Sequence, residues 1–248
     1  MRRHRTVGPV PRHTVADESA IETALVHEGA VVVTGVDTTR AGLLGLAHRL
    51  GRVRPTHYGS DWELATDPAS PHLVEGAAGL RPHTDLPYAP IPPRRQVLLC
   101  VEPARAGGAN ILVDGWALLS ELRQTDPATW SALVGAAVTF VLDSVGGPLY
   151  RTGPPVEVGD GAASMLVRHA PDLVRTDDGE ARAALDAVTA LSLEPSRQRL
   201  VELGAGDALV VDNHRTLHGR TPITDPGRRR LLGCYVDTSG PGTSRSRP

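Results

Sequence analysis

The sequence predicts a single, mainly β domain with a few helices packed around it. Short apolar runs recur along the chain and are separated by turn residues such as Gly, Pro and Asp. Helical patterns are few and do not alternate regularly with the strands, which argues against a parallel βαβ sheet. The 248 residues fit one β-rich domain. These observations indicate a β-rich core, without specifying its topology.

Helices are predicted where apolar residues recur at helical spacing or follow a capping residue. Thr14-Val-Ala-Asp17 resembles a capping box, and Asp114 precedes another helical run. Pro127 follows Asp126 at a first helical position, where its missing N–H costs nothing. The predicted helices are residues 14–27, 40–50, 114–123, a short helix from 126, and 180–191.

Strands are predicted where β-branched and apolar residues form short runs, with Gly159-Asp-Gly161 as a turn between two of them. The predicted strands are residues 30–34, 95–101, 111–113, 137–142, 155–158, 163–168, 198–203, 208–211 and 231–236. Residues 57–82 are rich in Gly, Pro and polar residues, as in a loop that lines a site. We expect a flexible lead-in over residues 1–13, one domain over 14–237 and a flexible tail over 238–248.

The composition indicates an ordinary soluble protein. A net charge of −2 and 40% hydrophobic residues leave no basic tract for nucleic acid and no apolar run long enough for a membrane. No apolar segment follows the basic N-terminus, so we expect no secretory signal and a cytoplasmic location. Cys100 and Cys234 are expected to be buried thiols rather than a disulfide or zinc site. The absence of lysine is typical of high-GC coding and indicates a bacterial source.

Two segments about 130 residues apart carry the residues of a metal site. His83-Thr-Asp85 supplies an imidazole and a carboxylate, and alternate residues of an extended segment share one face. His218, beyond Asp212-Asn213, supplies a second imidazole. Two histidines and one carboxylate form the facial triad of non-heme Fe(II) oxygenases. A tripeptide of this kind is expected about once by chance in this chain, so it is weak evidence by itself. The arginines at 228–230 strengthen the metal-site interpretation, because they suit a carboxylate such as that of 2-oxoglutarate.

With these motifs, the chain resembles the Fe(II)/2-oxoglutarate oxygenases of the taurine dioxygenase-like superfamily. It is most similar to the γ-butyrobetaine and trimethyllysine hydroxylase branch. The resemblance runs from about residue 50 to 237, and its matching stretches are Tyr58–Trp62, His83–Pro87, Gln96–Cys100, Gly107–Gly115, Asp212–Asn213, Leu217–Arg220 and Arg229–Tyr235. It implies a double-stranded β-helix (jelly-roll) core with flanking α-helices, the cofactor Fe(II), the co-substrates 2-oxoglutarate and O2, and a homodimer.

The resemblance also implies residue roles. His83, Asp85 and His218 would hold the metal and carry catalysis. Arg229 would bind the distal carboxylate of 2-oxoglutarate, although Arg228 and Arg230 leave the register open by one residue. Leu98 and Asn110 are placed in the same co-substrate site; Asn110 stands where many relatives carry Thr or Ser. An amide can still donate a hydrogen bond there.

The substrate prediction depends on aromatic residues. Tyr58, Trp62 and Tyr235 fall on positions that form a trimethylammonium cage in the resembling branch. Cation–π attraction suits such a cage, while ordinary core packing is the alternative for these side chains. Glu75 stands where relatives carry another cage tyrosine, and it would favour a cation or hydrogen-bond an amine. With Asn213 also placed at this site, we expect a small cationic substrate.

Three functions are compatible with these sequence features. Because Asp85 is present, hydroxylation is favoured over halogenation, which in relatives accompanies loss of this carboxylate. The same cofactor chemistry could instead desaturate, cyclise or rearrange a substrate. The third reading is a non-catalytic jelly-roll that binds a metal or small molecule. Arg229 argues against it, because a pure binding module has no need of a co-substrate arginine.

Overall fold

Two main sheets with helices on their outer faces, together with three smaller sheets, make up the described part of the protein. A computed structural model describes residues 7–56, 59–67, 75–144, 146–159 and 165–238. The helices are α1 (Glu18–Glu28), α2 (Arg40–Leu50), α3 (Gly115–Thr125), α4 (Pro127–Gly135) and α5 (Gly179–Ser192). The strands are β1 (Arg12–Thr14), β2 (Ala30–Thr34), β3 (Arg52–Val53), β4 (Trp62–Ala65), β5 (Leu80–His83), β6 (Arg95–Glu102), β7 (Ala106–Gly107), β8 (Asn110–Asp114), β9 (Val138–Leu142), β10 (Leu149–Gly153), β11 (Val156–Val158), β12 (Met165–Val167), β13 (Val174–Arg175), β14 (Arg199–Val201), β15 (Ala208–Asp212), β16 (Thr216–Arg220), β17 (Ile223–Asp225) and β18 (Arg230–Asp237).

The larger sheet has the order β1-β2-β15-β6-β18-β3, and β4 also pairs with β18. Neighbouring strands are antiparallel except β1 and β2. On β6, Val97 and Leu99 face a core shared with α1 and α2. Gln96 and Leu98 alternate with them and therefore face the opposite side of the sheet.

The smaller sheet has the order β14-β8-β16-β5 and lies against this second face. Leu112 and Val201 of the smaller sheet pack in one core with Val32, Leu209 and Leu231 of the larger sheet. The outer face of the smaller sheet packs through residues of β8 and β16 against α3, α4, α5 and strands β9, β11, β12 and β13. Polar side chains on the inner faces therefore lie between two sheets that shield them from solvent.

Most predicted elements are confirmed, with differences that have physical causes. The first helix begins at Glu18 and is capped by Asp17, because Thr14 belongs to β1. The predicted flexible lead-in therefore contains the start of a strand that pairs with β2. The predicted loop over 57–82 was wrong in part, since β4 and most of β5 lie within it.

The apolar pattern did not predict strand β16, because its sequence, Thr-Leu-His-Gly-Arg, lacks apolar alternation. Every residue in it is nevertheless buried between β8 and β5. Both cysteines are buried free thiols, as predicted. Within the described ranges, no helix is long and apolar enough to cross a membrane.

Candidate metal centre

Three predicted ligands meet between the sheets. His83 ends β5 and lies directly opposite His218 of β16, with ring centroids 4.7 Å apart. Asp85 Oδ1 lies 3.4 Å from His83 Nε2 and 3.5 Å from His218 Nε2. Ligand atoms around a small octahedral ion are about 3 Å apart when the bonds are about 2.1 Å long. The three side chains therefore form a cluster of the size that a divalent ion requires.

The histidine hydrogen bonds indicate which nitrogens would bind the ion. His83 Nδ1 lies 2.8 Å from the carbonyl oxygen of Arg81, so it carries the proton and Nε2 keeps its lone pair. His218 is 7% exposed, and neither of its ring nitrogens has a hydrogen-bond partner in the described part of the chain. A buried polar atom without a partner is costly unless a ligand satisfies it. The residues present thus fit an Fe(II) ion.

The two oxygens of Asp85 have different surroundings. Oδ1 faces both histidines, whereas Oδ2 accepts hydrogen bonds from the Gln96 amide and, at 2.8 Å, from the Tyr235 hydroxyl. Burial raises the pKa of Asp85, but the electrostatic attraction of the nearby His218 and His83 lowers it by more, so the pKa is well below its usual range. The group is therefore an ionised carboxylate that presents one oxygen to the metal position.

The contact with Asp85 also changes the pKa of His83. Burial lowers the pKa of this imidazole, while the hydrogen bond to Asp85 and its charge raise it more, so the net pKa is above 6.5. In the metal-free protein a proton can therefore occupy part of the space that an ion would take. Metal binding would displace it.

Asn213 fixes the backbone that carries Asp85. Its Oδ1 accepts from the Asp85 N–H at 2.7 Å, and its Nδ2 donates to the carbonyls of Asp85 and Pro93, each at 3.1 Å. The side chain is fully buried. Its amide is engaged with backbone groups, and its assignment to the substrate site stays a prediction. Leu86, which follows Asp85, has a φ of 50° and is the only non-glycine residue with positive φ in the described ranges.

Arg168 and His169 hold the loop after the metal ligand from its other side. The Arg168 guanidinium donates to the carbonyls of Pro87, Ala89 and Pro90 at 2.7 to 2.8 Å. Thr84, between the two ligands, accepts a hydrogen bond from the His169 N–H at 2.9 Å through its hydroxyl. The sequence did not reveal these two residues, because carbonyl oxygens are present at every position and leave no motif.

Gln96 was also missed as a site residue, although a signal existed. It is the one amide side chain in β6 and directly precedes the apolar run Val97–Val101, within a stretch that already carried the family resemblance. A buried polar residue at such a position normally has a specific partner, and here that partner is Asp85.

The three adjacent arginines at 228–230 differ in their burial. Arg229 is 7% exposed, whereas Arg228 and Arg230 are exposed. Arg229 lines a cavity of about 150 Å³ together with Asn110, and it donates to the Thr66 hydroxyl at 3.2 Å. Burial lowers the pKa of Arg229 from its ordinary value. A buried guanidinium facing a cavity is suited to a carboxylate ligand.

The other two co-substrate positions differ. The Asn110 amide faces the same cavity but donates to the Val201 carbonyl at 3.2 Å, which gives it a structural hydrogen bond. Leu98 is on the inner face of β6 and is 8% exposed, but it is not part of the lining of this cavity. Its assignment to the co-substrate site stays a prediction.

The predicted aromatic cage is brought together in part. The rings of Trp62 and Tyr235 lie 4.4 Å apart and are tilted by 41°. The indole rests on Gly233, where a Cβ would come within 2.5 Å of it, so the glycine makes room for Trp62. Glu75 is exposed and its role stays a prediction, and Tyr58 lies outside the described residues.

A second cavity, of about 290 Å³, was not predicted. It is lined by residues of the loop that follows Asp85 and by two further segments, which begin at Arg54 and Leu149. Its lining residues are Arg54, Pro55, Thr56, Leu86, Tyr88, Ala89, Pro90, Leu149 and Tyr150. The lining is largely apolar and contains one charged side chain.

Comparisons with known proteins agree with this site. A family model described as taurine catabolism dioxygenase TauD, TfdA family matches residues 8–235. Dioxygenase str8 of Strobilurus tenacellus is 32% identical over 226 residues, covering 83% of this chain and 52% of that protein. The γ-butyrobetaine dioxygenase of Pseudomonas sp. (strain AK-1) is 29% identical over 217 residues, covering 84% and 56%. The chain thus spans about half the length of these curated relatives.

A solved structure of asparagine oxygenase with Fe(II), hydroxyasparagine and succinate shares the fold. The TM-score is 0.74 at 20% sequence identity, and the match covers 90% of this chain and 79% of that one.

Proposed function

The chain belongs to the TauD, TfdA dioxygenase family, and from that premise we propose that it is an Fe(II)- and 2-oxoglutarate-dependent dioxygenase. It hydroxylates an unactivated C–H bond of a small molecule with O2. The observation that carries this proposal is the meeting of His83, Asp85 and His218 between two sheets that also bury Arg229. A jelly-roll core is part of the proposal, supported by the two facing sheets and by the asparagine oxygenase fold.

The protein groups have separate tasks in this reaction. His83, Asp85 and His218 would hold the Fe(II), which supplies activation of O2 coupled to oxidation of 2-oxoglutarate. Gln96 and Tyr235 keep one Asp85 oxygen turned away from the ligand position. Arg229 orients the co-substrate by its distal carboxylate, and the sheets exclude bulk water. The protein thus contributes position and electrostatics, and the cofactor contributes the oxidation.

A small cationic substrate, an amine or betaine, is the finer part of the proposal. It is supported by the Trp62–Tyr235 pair, whose faces can attract a quaternary or protonated amine. A γ-butyrobetaine dioxygenase and trimethyllysine dioxygenases are among the relatives, which is consistent with it. We further propose one catalytic domain over residues 14–237, a cytoplasmic location and a homodimer.

The alternatives make different products. Hydroxylation adds one oxygen atom to the substrate, whereas desaturation removes two hydrogens, and mass spectrometry of the product separates them. A non-catalytic binding module would form no succinate with any substrate. Buried Arg229 beside a cavity favours an enzyme, because a charged side chain is costly to bury without an anionic ligand.

The first test is an anaerobic titration with Fe(II) and 2-oxoglutarate, followed by the visible charge-transfer band of the chelate. The wild type should develop the band, while His83→Ala, Asp85→Ala and His218→Ala should not. A folded wild type without the band would refute the proposed function. Equal bands in a ligand variant and the wild type would show that the metal site is elsewhere.

Arg229 is tested with controls that the chain itself provides. Arg229→Ala should raise the KM for 2-oxoglutarate about tenfold or more, since a charge-assisted hydrogen bond contributes about 1.5–3 kcal/mol. Arg228→Ala and Arg230→Ala remove exposed neighbours and should leave this KM nearly unchanged. A larger effect from either neighbour would transfer the role to it.

A further inference from the structure

Thr66 lies directly after β4, beside Arg229. The pairing of β4 with β18 sets Ala65 opposite Arg230. The next two positions in this antiparallel register are those of Thr66 and Arg229. A hydrogen bond joins the two side chains, since Arg229 Nη1 donates to the Thr66 hydroxyl at 3.2 Å. The two residues therefore form one polar unit at the end of the strand pair.

Thr66 and Arg229 face the space between the two main sheets. Leu64 and Leu231 pack in the core that these sheets share. Because alternate residues of a strand face the same side, Thr66 shares the face of Leu64, and Arg229 shares that of Leu231. Burial agrees with this direction, since Arg229 is 7% exposed and lines the cavity of about 150 Å³.

The cavity at Arg229 lies near the metal ligands. Asn110 also lines it, and Leu112, two residues further along β8, is paired with His218. Two residues of a strand span about 7 Å. The cavity is therefore close enough for the carbon chain of 2-oxoglutarate to reach from the metal position to Arg229.

The Thr66 hydroxyl is arranged to donate to an anion at this place. A guanidinium has only donors, so the Thr66 oxygen must accept the hydrogen bond from Arg229. The hydroxyl hydrogen is then directed to another group, and the described residues provide no acceptor for it. A carboxylate beside Arg229 could accept from the guanidinium and from the hydroxyl together, because its two oxygens offer several lone pairs.

We propose that Thr66 is a co-substrate-binding residue, whose hydroxyl donates to the distal carboxylate of 2-oxoglutarate while Arg229 binds the same group. Asn110, the other polar side chain near this carboxylate, has no hydroxyl, and its amide donates to the Val201 carbonyl at 3.2 Å. The strand β4 thereby supplies the hydroxyl donor that β8 lacks. The proposal rests on the proposed function, because it assigns a further ligand of the same co-substrate.

The test is an anaerobic titration of the Fe(II)-loaded protein with 2-oxoglutarate, in which the charge-transfer band gives the Kd. Thr66→Val keeps the shape of the side chain but removes the hydroxyl, and it should raise this Kd about tenfold, as expected for a hydrogen bond to a charged group. Thr66→Ser keeps the hydroxyl and should stay within about twofold of the wild type. Thermal unfolding shows whether each variant is folded.

Thr221→Val is the matched control. The Thr221 hydroxyl accepts from the Ala109 N–H at 3.0 Å, in the wall of the same cavity, but has no contact with Arg229 among the described residues. Its loss should leave the Kd for 2-oxoglutarate within about twofold of the wild type. A structural effect of removing any threonine hydroxyl near the cavity would appear in this variant too.

A second ligand, 2-oxovalerate, carries a methyl group in place of the distal carboxylate. Its Kd should be the same in the wild type and in Thr66→Val, because it offers nothing to which the hydroxyl can donate. An unchanged Kd for 2-oxoglutarate in Thr66→Val, an equal loss in Thr221→Val, or an equal loss for 2-oxovalerate would overturn the role of Thr66. A folded wild type without the band would instead refute the proposed function, so the two failures are distinguishable.

Discussion

Replacing Arg168 by methionine should release the loop that carries Asp85. The arginine side chain has no solvent exposure and makes three hydrogen bonds to loop carbonyls and one, of 2.8 Å, to Glu157. Methionine fills much of the volume but donates no hydrogen bond. The carbonyls of Pro87, Ala89 and Pro90 would then be left without their donor.

The expected loss of unfolding free energy is about 3–5 kcal/mol. Breaking one partner of a buried charged network costs this much, and the separate hydrogen bonds, at about 1.5–3 kcal/mol each, do not add fully. Because Asp85 begins the released loop, Fe(II) affinity should also fall about 10–100-fold, as for other changes behind a metal ligand. Arg168→Lys keeps the charge but not the fork and should be intermediate.

The assay is urea unfolding of the metal-free protein together with Fe(II) titration. Arg151→Met is the control, because Arg151 also pairs with Glu157 but makes no hydrogen bond to the loop among the contacts of the described residues. It should cost no more than about 1 kcal/mol and leave Fe(II) affinity unchanged. An Arg168→Met protein within about 1 kcal/mol of wild type, with normal Fe(II) affinity, would refute the reasoning.

Further predictions concern the metal ligand, the aromatic pair and pH. Tyr235→Phe removes the 2.8 Å hydrogen bond to Asp85 and should weaken Fe(II) binding about tenfold in the same titration; unchanged affinity would show that the hydroxyl is dispensable. Gly233→Ala places a Cβ 2.5 Å from the Trp62 indole, so tryptophan fluorescence should change and stability fall by about 1–3 kcal/mol; an unaltered spectrum would contradict this. Burial lowers the pKa of His169 to about 3, below its ordinary 6.5. The folded protein therefore resists protonation that the unfolded chain accepts, and stability present above pH 6.5 should be lost as pH falls toward 3, by up to about 1.4 kcal/mol per pH unit. His169→Gln should flatten that dependence in unfolding measurements between pH 7 and 5, and an unchanged slope would exclude His169 as its source.

The metal ligands could be predicted because the spacing of His83 and Asp85 suits a shared metal and the stretches around them resemble a known family. Two residues apart in an extended segment, His83 and Asp85 reach one point, and only a second histidine was then needed. The choice among residues 228–230 could not be made from sequence, because three adjacent arginines differ only in burial. Only the folded chain shows that Arg229, directly before β18, is the buried one.

Other parts of the site depend on contacts that leave no local pattern. Arg168 acts on carbonyl oxygens about 80 residues away in the chain, and every residue has such an oxygen. Strand β16 was missed because the residues that serve the metal centre replace the apolar alternation of an ordinary strand. The cavity at Arg54 combines three separate segments, so no single stretch of sequence indicates it.

The hydrogen bonds between Asn213 and Asp85 bear on whether the protein folds before or after it binds iron. They connect residues 128 positions apart, and Asn213 directly follows β15, shortly before the strand that carries His218. We expect contacts between such distant residues to form late, when most of the chain has already folded. We expect the apoprotein to fold first and take up iron afterwards, so that a chelator should remove the ion reversibly without unfolding the chain.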